Sequence, residues 1–316
     1  MSSDDHEART GHVSEQETLA RRFEEHHPHL RAVAYRMLGS LSESEDAVQE
    51  AWLRLSRSDV SAVENLGGWL TTVVGRVCLD MLRSRTSRRE DPLYDQDGFV
   101  RLPDPVVTGL SGVDPEREML VADSVGIALL VVLETLSPAE RLAFVLHDLF
   151  AVPFDEIAPV LGRTAASTRQ LASRARRRVE GAAPTPDLDL ARTREVVDAF
   201  LTAARGGDLD ALVDLLDPDV VARSDGGALR PSSVRRGATD VASNAITFAR
   251  FAAAAVPVLV NGIPGALALA EGKPLSLMAF TVRSGKIVAL DILTDPERLS
   301  RIDLGTTLDT RPQDLA

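Results

Sequence analysis

The side chains best suited to chemistry in this chain are arginines, and they fall in two clusters. One runs Arg163, Arg169, Arg174, Arg176, Arg177 and Arg178, with no acid before Glu180. The other runs Arg76, Arg83, Arg85, Arg88 and Arg89. A guanidinium presents a planar fork of donors that matches a phosphate or the edge of a guanine, so both clusters point to nucleic acid. The bland alternatives are a solvated basic face for the first and a helix end favoured by the macrodipole for the second. Around the start of the first cluster, Thr164, Ser167, Thr168, Arg169 and Gln170 have the residue types that read base edges and phosphates. Arg174, Arg176 and Arg177 suit phosphate contacts, which position a protein without specifying sequence. A third set, Asp46, Gln49 and Glu50, forms an acidic and polar face that suits a basic or polar protein partner, or simply water.

These residues need elements to hold them. Phe23, Leu30, Val33, Ala34, Met37 and Leu38 keep helical spacing, after a polar stretch, 1–16, that reads as disordered. Ser42 and Glu45 have the spacing of a capping box, and the helix after them places Ala47, Val48, Ala51, Trp52 and Leu55 on one face. A third helix, 66–85, turns Leu66, Trp69, Leu70, Val73, Val77, Met81 and Leu82 inward and ends in the second arginine cluster. Prolines and glycines then break the pattern over 91–115, which reads as a linker. Helices resume at 116–136, and Ser137-Pro138-Ala139-Glu140 is a strong start for another that ends near Phe150. A short helix over 153–161, Gly162 as its cap, Thr164 as the next cap and a helix over 165–180 make a helix-turn-helix pattern. Pro159 falls inside the first of these and removes a backbone bond there.

Past a second linker, 182–189, the character changes to α+β. Helices are expected at 190–205, 208–216 and 239–252, and strands at 219–224, 255–260, 265–271, 275–283 and 286–293. The expected architecture is multidomain: an all-α domain over 17–90, an all-α helix-turn-helix domain over 116–181, and an α+β domain over 190–302. That last domain is expected to be a curved antiparallel sheet with helices on one side, before a tail, 303–316.

Composition narrows the function classes. The 316 residues are 44% hydrophobic and 26% charged, the balance of a globular protein. The formal charge of −12 argues against coating nucleic acid by bulk electrostatics, so local basic faces must do any contacting. No apolar run is long enough for a membrane span, and the opening MSSDDHEART is unlike a leader peptide. One cysteine, Cys78, offers no disulfide framework or cysteine zinc site and reads as a small buried residue. A cytoplasmic protein with no cofactor and no metal is expected.

Three blocks carry a resemblance: SESEDAVQEAWLRL (42–55), GGWLTTVVGRVCLDMLRSRTSRRE (67–90) and LSPAERLAFVLHDLFAVPFDEIAPVLGRTAASTRQLASRARRRV (136–179). In this order they resemble regions 2 and 4 of extracytoplasmic-function (ECF) sigma factors of the sigma-70 family. The C-terminal part resembles the subgroup with a fused SnoaL-like domain. The resemblance implies a transcription initiation factor that binds core RNA polymerase through the β′ clamp helices and β flap and recognises promoter DNA. By position it places Asp46, Gln49 and Glu50 at the clamp helices. It places Arg76, Asp80, Arg83, Ser84 and Arg88 at the −10 element. Thr164, Ser167, Thr168, Arg169, Gln170, Arg174, Arg176 and Arg177 fall at the −35 element.

The subgroup's short motifs have counterparts here. Arg101-Leu102-Pro103-Asp104-Pro105 lacks the tryptophan of a WLPEP-like stretch. Asp225-Gly226-Gly227 matches the start of DGGGK, with Ala228 and Leu229 departing from it. Asp295-Pro296-Glu297-Arg298-Leu299 is close to NPDKL. The resemblance implies that Asp225, Gly226, Gly227, Asp295, Pro296 and Leu299 make cis-regulatory contacts. SnoaL-like cones are hollow, which leaves room for a small-molecule ligand. All six histidines lie at or before His147, and Asp225 and Asp291 form no persuasive acid–base pair, so no catalytic residue is assigned. Asn261-Gly262 reads as turn chemistry. Two rivals stay open: a stand-alone, ligand-responsive helix-turn-helix regulator, and an enzyme on the SnoaL-like fold.

Overall fold

The computed structural model describes residues 4–58, 63–88, 101–110, 126–182, 187, 189–227, 232–248 and 255–302. Contacts divide the chain into two compact units, Met1–Arg88 with Leu136–Ala175 and Arg89–Thr135 with Arg176–Ala316.

The first unit is helical. Helices α1 (Asp4–Leu38), α2 (Leu41–Leu55) and α3 (Leu66–Arg88) pack together. Their core holds Leu30, Val33, Met37, Val48, Leu55, Leu70 and Leu82, as the helical periodicity predicts. Cys78 is fully buried, and burial pushes its thiol well above the usual range, so it is inert packing. Helix α1 begins at Asp4, well before the apolar pattern at Leu19, because the polar opening has no core-facing stripe to announce it. The Ser42–Glu45 capping box does not form: α2 starts two residues earlier, with Ser40 at its N-cap. Glu45 instead meets His27 and Arg31 of α1, a tertiary pairing that overrides the local motif.

The same unit contains the segment from Leu136 to Ala175. Ser137 caps the next helix through the reciprocal Glu140 box with Pro138 at its first position. A π-helical turn, Val145–Leu149, extends it. This segment closes on α1 and α3. Buried Arg141 donates from Nη1 to the Met37 carbonyl at 2.9 Å. The Arg36 guanidinium lies 5.1 Å over the Phe150 ring, and His29 meets Thr71 and that same ring. Gly75 leaves room for Leu142 and Leu146, whose methyls would stand 3.1 and 3.0 Å from an added Cβ.

The second unit contains a seven-stranded sheet and its helices. The strands are β1 (Val107–Thr108), β2 (Leu216–Asp225), β3 (Ser233–Arg236), β4 (Ala255–Val260), β5 (Ile263–Ala270), β6 (Lys273–Arg283) and β7 (Lys286–Leu293), in the order β1-β4-β5-β6-β7-β2-β3. The pairing is antiparallel throughout except between β2 and β7, which run parallel. Helix spans Leu190–Gly206, Leu209–Leu215 and Ala238–Thr247 bury Phe200, Leu201, Leu212 and Val241 against Ala266, Phe280 and Leu290 of the sheet. This is the α+β, SnoaL-like architecture expected from the sequence, with two departures: the sheet is not wholly antiparallel, because β2 and β7 run parallel, and β1 is added at its edge from residues that read as linker.

Candidate functional site

The four sets of predicted residues lie on four different parts of the chain. On α2, Asp46 and Gln49 are exposed and Glu50 is half-buried, its carboxylate taking the Arg54 Nε–H at 2.9 Å. Leu53 shares this side at 41% exposure, a large apolar group that the sequence reading left out. Trp52 is half-buried with its ring 5.2 Å from Phe23, as a residue of the core margin. On α3, Arg76, Asp80 and Arg83 recur at i, i+4 and i+7, so one exposed stripe carries them. Ser84 is half-buried beside that stripe. The side chain of Arg88 lies outside the described residues.

The helix-turn-helix is formed by Phe154–Leu161, Gly162 in the left-handed region at φ 64°, and Ala165–Ala182. Pro159 sits within the first helix, near its end, and that helix still reaches Leu161. Thr164 caps the second helix by accepting the Ser167 N–H at 3.2 Å. Arg169, Gln170, Arg174, Arg176 and Arg177 are exposed, and the Arg169 guanidinium lies 5.2 Å over the Phe154 ring, which holds it near the helix start. Ser167 is half-buried. Thr168 departs from the expectation: it is fully buried and its hydroxyl donates to the Thr164 carbonyl, so it supports the turn and reads no base.

The fourth set, around Asp225 and Asp295, forms a dense polar cluster. Arg298 is its hub. Its Nε and Nη2 donate to Asp104 Oδ1 at 3.1 and 2.8 Å, its Nη2 also to the Leu102 carbonyl at 2.7 Å, and its Nη1 to Asp225 Oδ2 at 2.7 Å. Asp225 is 1% exposed, and the same oxygen takes the Leu102 N–H at 2.8 Å. The other oxygen takes the Gly227 N–H, and the Asp225 carbonyl takes the Thr294 N–H. Gly227 stands at φ 64°, and a Cβ there would lie 2.3 Å from an Asp295 carboxylate oxygen. Asp295 caps the helix Pro296–Ser300, which delivers Arg298 to the cluster, while Leu299 anchors that helix at 1% exposure. Pro296 is exposed at the first helical position, where its ring geometry is preset.

A few residues away, Asn261 accepts the Val106 N–H on Oδ1 and donates its own N–H to the Val106 carbonyl. The pairing of β1 with β4 follows directly. Residues 102–108 are thus clamped to the C-terminal domain by side chains at one end and a strand ladder at the other. Asn261 does occupy a positive-φ turn, at 50°, and its side chain also holds the linker. Arg298, Asp104 and Asn261 were absent from the sequence-derived set. The signal for Arg298 was its place inside the NPDKL-like run. Ala228 and Leu229 lie outside the described residues.

A cavity of about 360 Å³ opens in the cone, walled by Phe200, Leu201, Val241, Met278 and Leu290. Strand alternation places Ala222 and Ser224 of β2 on its wall. Arg223 and Asp225 fall on the opposite face of that strand. Arg223 pairs there with buried Asp291 at 2.9 Å, and burial holds the Asp291 carboxyl above its ordinary range despite this partner. Neither acid that the sequence singled out therefore lines the cavity. Among the described residues no His, Cys, Asp or Glu grouping is suited to a metal ion, and no helix is long and apolar enough to cross a membrane.

Comparison with known proteins identifies the two helical regions. Residues 22–88 match the family model for sigma-70 region 2, and 127–179 match that for sigma-70 region 4. The chain is 40% identical over 298 residues to the ECF RNA polymerase sigma factor SigJ of Mycobacterium tuberculosis, covering 88% of this chain and 92% of that one. It is 35% identical to the probable ECF RNA polymerase sigma factor SigI of the same organism, covering 93% and 99%. The crystal structure of M. tuberculosis SigJ superposes with a TM-score of 0.72 at 39% identity, covering 89% of this chain and 98% of that one. The chain belongs to the ECF RNA polymerase sigma factors, proteins that recognise promoters and initiate transcription with core polymerase. This membership disfavours the stand-alone regulator. The helix Ile127–Glu134 falls inside the region-4 match, yet it belongs to the C-terminal unit, where it touches β7.

Proposed function

We propose that the C-terminal domain regulates this sigma factor in cis by holding the chain between regions 2 and 4. The observation that carries the proposal is the Arg298 hub, which ties Leu102 and Asp104 of that chain to Asp225. The capture of the helix Ile127–Glu134 by the same unit supports it. On this reading the exposed stripe with Arg76, Asp80 and Arg83 contacts the −10 element, and Arg169 and Gln170 read the −35 element. Arg174, Arg176 and Arg177 hold phosphates, while Asp46, Gln49 and Glu50 meet the polymerase clamp helices with Leu53 as an apolar contact. The cone cavity is a small-molecule site rather than a catalytic one. It shares strand ends with the clamp: Ser224 and Thr294 line it, one residue from Asp225 and Asp295.

Run-off transcription with core polymerase tests the cis regulation. At equal protein, Arg298→Ala is expected to change transcript yield from a responsive promoter by severalfold, and Arg298→Lys, which keeps the charge but loses the fork, should lie between. Equal yields from all three proteins would sink the proposal.

A further inference from the structure

We infer that the cone cavity takes an apolar carboxylate, an anionic amphiphile whose head group is met by Arg235. This rests on the reading of the cavity as a ligand site and adds the ligand's chemistry. The body of the ligand is set by the walls, which are mostly aliphatic and aromatic, and by a volume of about 360 Å³, enough for a medium-chain or aromatic acid. The head group is set by charge. Among the described lining residues Arg235 is the single charged side chain, and no carboxylate or imidazole is present. Ser224, Ser233, Asn244, Ser276 and Thr294 complete a polar part of the lining in which hydroxyl and amide groups can donate to an oxyanion.

Arg235 is available for this role. It projects from β3 at 41% exposure, and its Nη1 pairs with Asp240 at 3.1 Å, itself 52% exposed. An exposed pair of this kind is weak and exchanges readily for another anion. The guanidinium has five donors in a fork suited to a carboxylate, and the Asp240 bond uses one of them. A neutral ligand of the same shape would leave that fork with water. The site therefore discriminates by charge, while its apolar walls supply most of the affinity.

Isothermal titration calorimetry on the full chain tests this with decanoate and 1-decanol, which share a tail and differ in the head. Decanoate is expected to bind at least about tenfold more tightly than decanol, the scale of one charge-assisted hydrogen bond. Arg235→Gln should erase that preference and leave decanol binding unchanged, and Asp240→Asn should strengthen decanoate alone. Ala245→Phe, which fills the cavity from its helical wall, should weaken both ligands. Equal binding of acid and alcohol, or a preference that survives Arg235→Gln, overturns the anionic assignment while leaving the cavity a ligand site. Binding of neither ligand, or binding untouched by Ala245→Phe, removes the ligand-site reading and this inference with it.

Discussion

Arg298 shows how much one side chain can organise. It satisfies two carboxylates and a main-chain carbonyl at once, and its removal would leave a buried carboxylate facing no cation. Breaking such a buried pair from one side costs about 3–5 kcal/mol. Gly227 offers a second handle on the same cluster. Gly227→Ala strains a left-handed residue and drives a methyl into the Asp295 carboxylate, and a loss of more than about 1 kcal/mol is expected in urea unfolding. Two aspartates respond to pH with opposite signs. Asp291 titrates above 3.8 because it is buried, so its contribution to stability is fullest below that value and is lost as pH rises through its folded value. Asp187 titrates below 3.8 because it accepts the N–H groups of Ser284 and Gly285, so its contribution is present above that value and is lost as pH falls. Urea unfolding across pH is therefore expected to show wild type losing ground to Asp291→Asn as pH rises from 3.8, and to Asp187→Asn as pH falls below it. The reverse signs would show that these environments are misassigned.

At the scale of elements, α3 presents two different faces. One face bears Arg76, Asp80 and Arg83, and the other, through Gly75, receives Leu142 and Leu146. On the proposed reading the two promoter elements, some 25 base pairs or roughly 85 Å apart at about 3.4 Å per pair, are engaged together, and this packing is expected to open. Leu146→Ala is expected to lower the unfolding free energy by about 2–5 kcal/mol and to raise transcript yield per folded molecule. A yield that falls in proportion to folded protein would count against an opening step. Much of this architecture was legible in the sequence: the capped helix at Ser137, the glycine turn of the helix-turn-helix, and β4 and β7 at the predicted bounds. What escaped were features set by distant residues. The two-residue strand β1 has no pattern of its own and exists because Asn261 and β4 receive it. The parallel pairing of β2 with β7 is likewise a matter of topology. Thr168 looked like a base reader by type, and only helical phase against the turn places it inside.

At the scale of the whole molecule, a net charge of −12 coexists with exposed arginine faces on two helices. Affinity for promoter DNA should then be local in origin. Arg174→Ala is expected to weaken holoenzyme binding to all sequences alike and to reduce the salt dependence by about one counterion. Gln170→Ala should relax sequence preference instead, as seen by competition among promoter variants. The clamp carries a consequence in time. Asp104 meets Arg298 across 194 residues of chain. At about 5–20 residues per second a ribosome needs roughly 10–40 s to make that interval. Regions 2 and 4 are both complete before the residue that fastens the linker is polymerised, so each newly made molecule passes through a brief unfastened youth before the Arg298 contact can form.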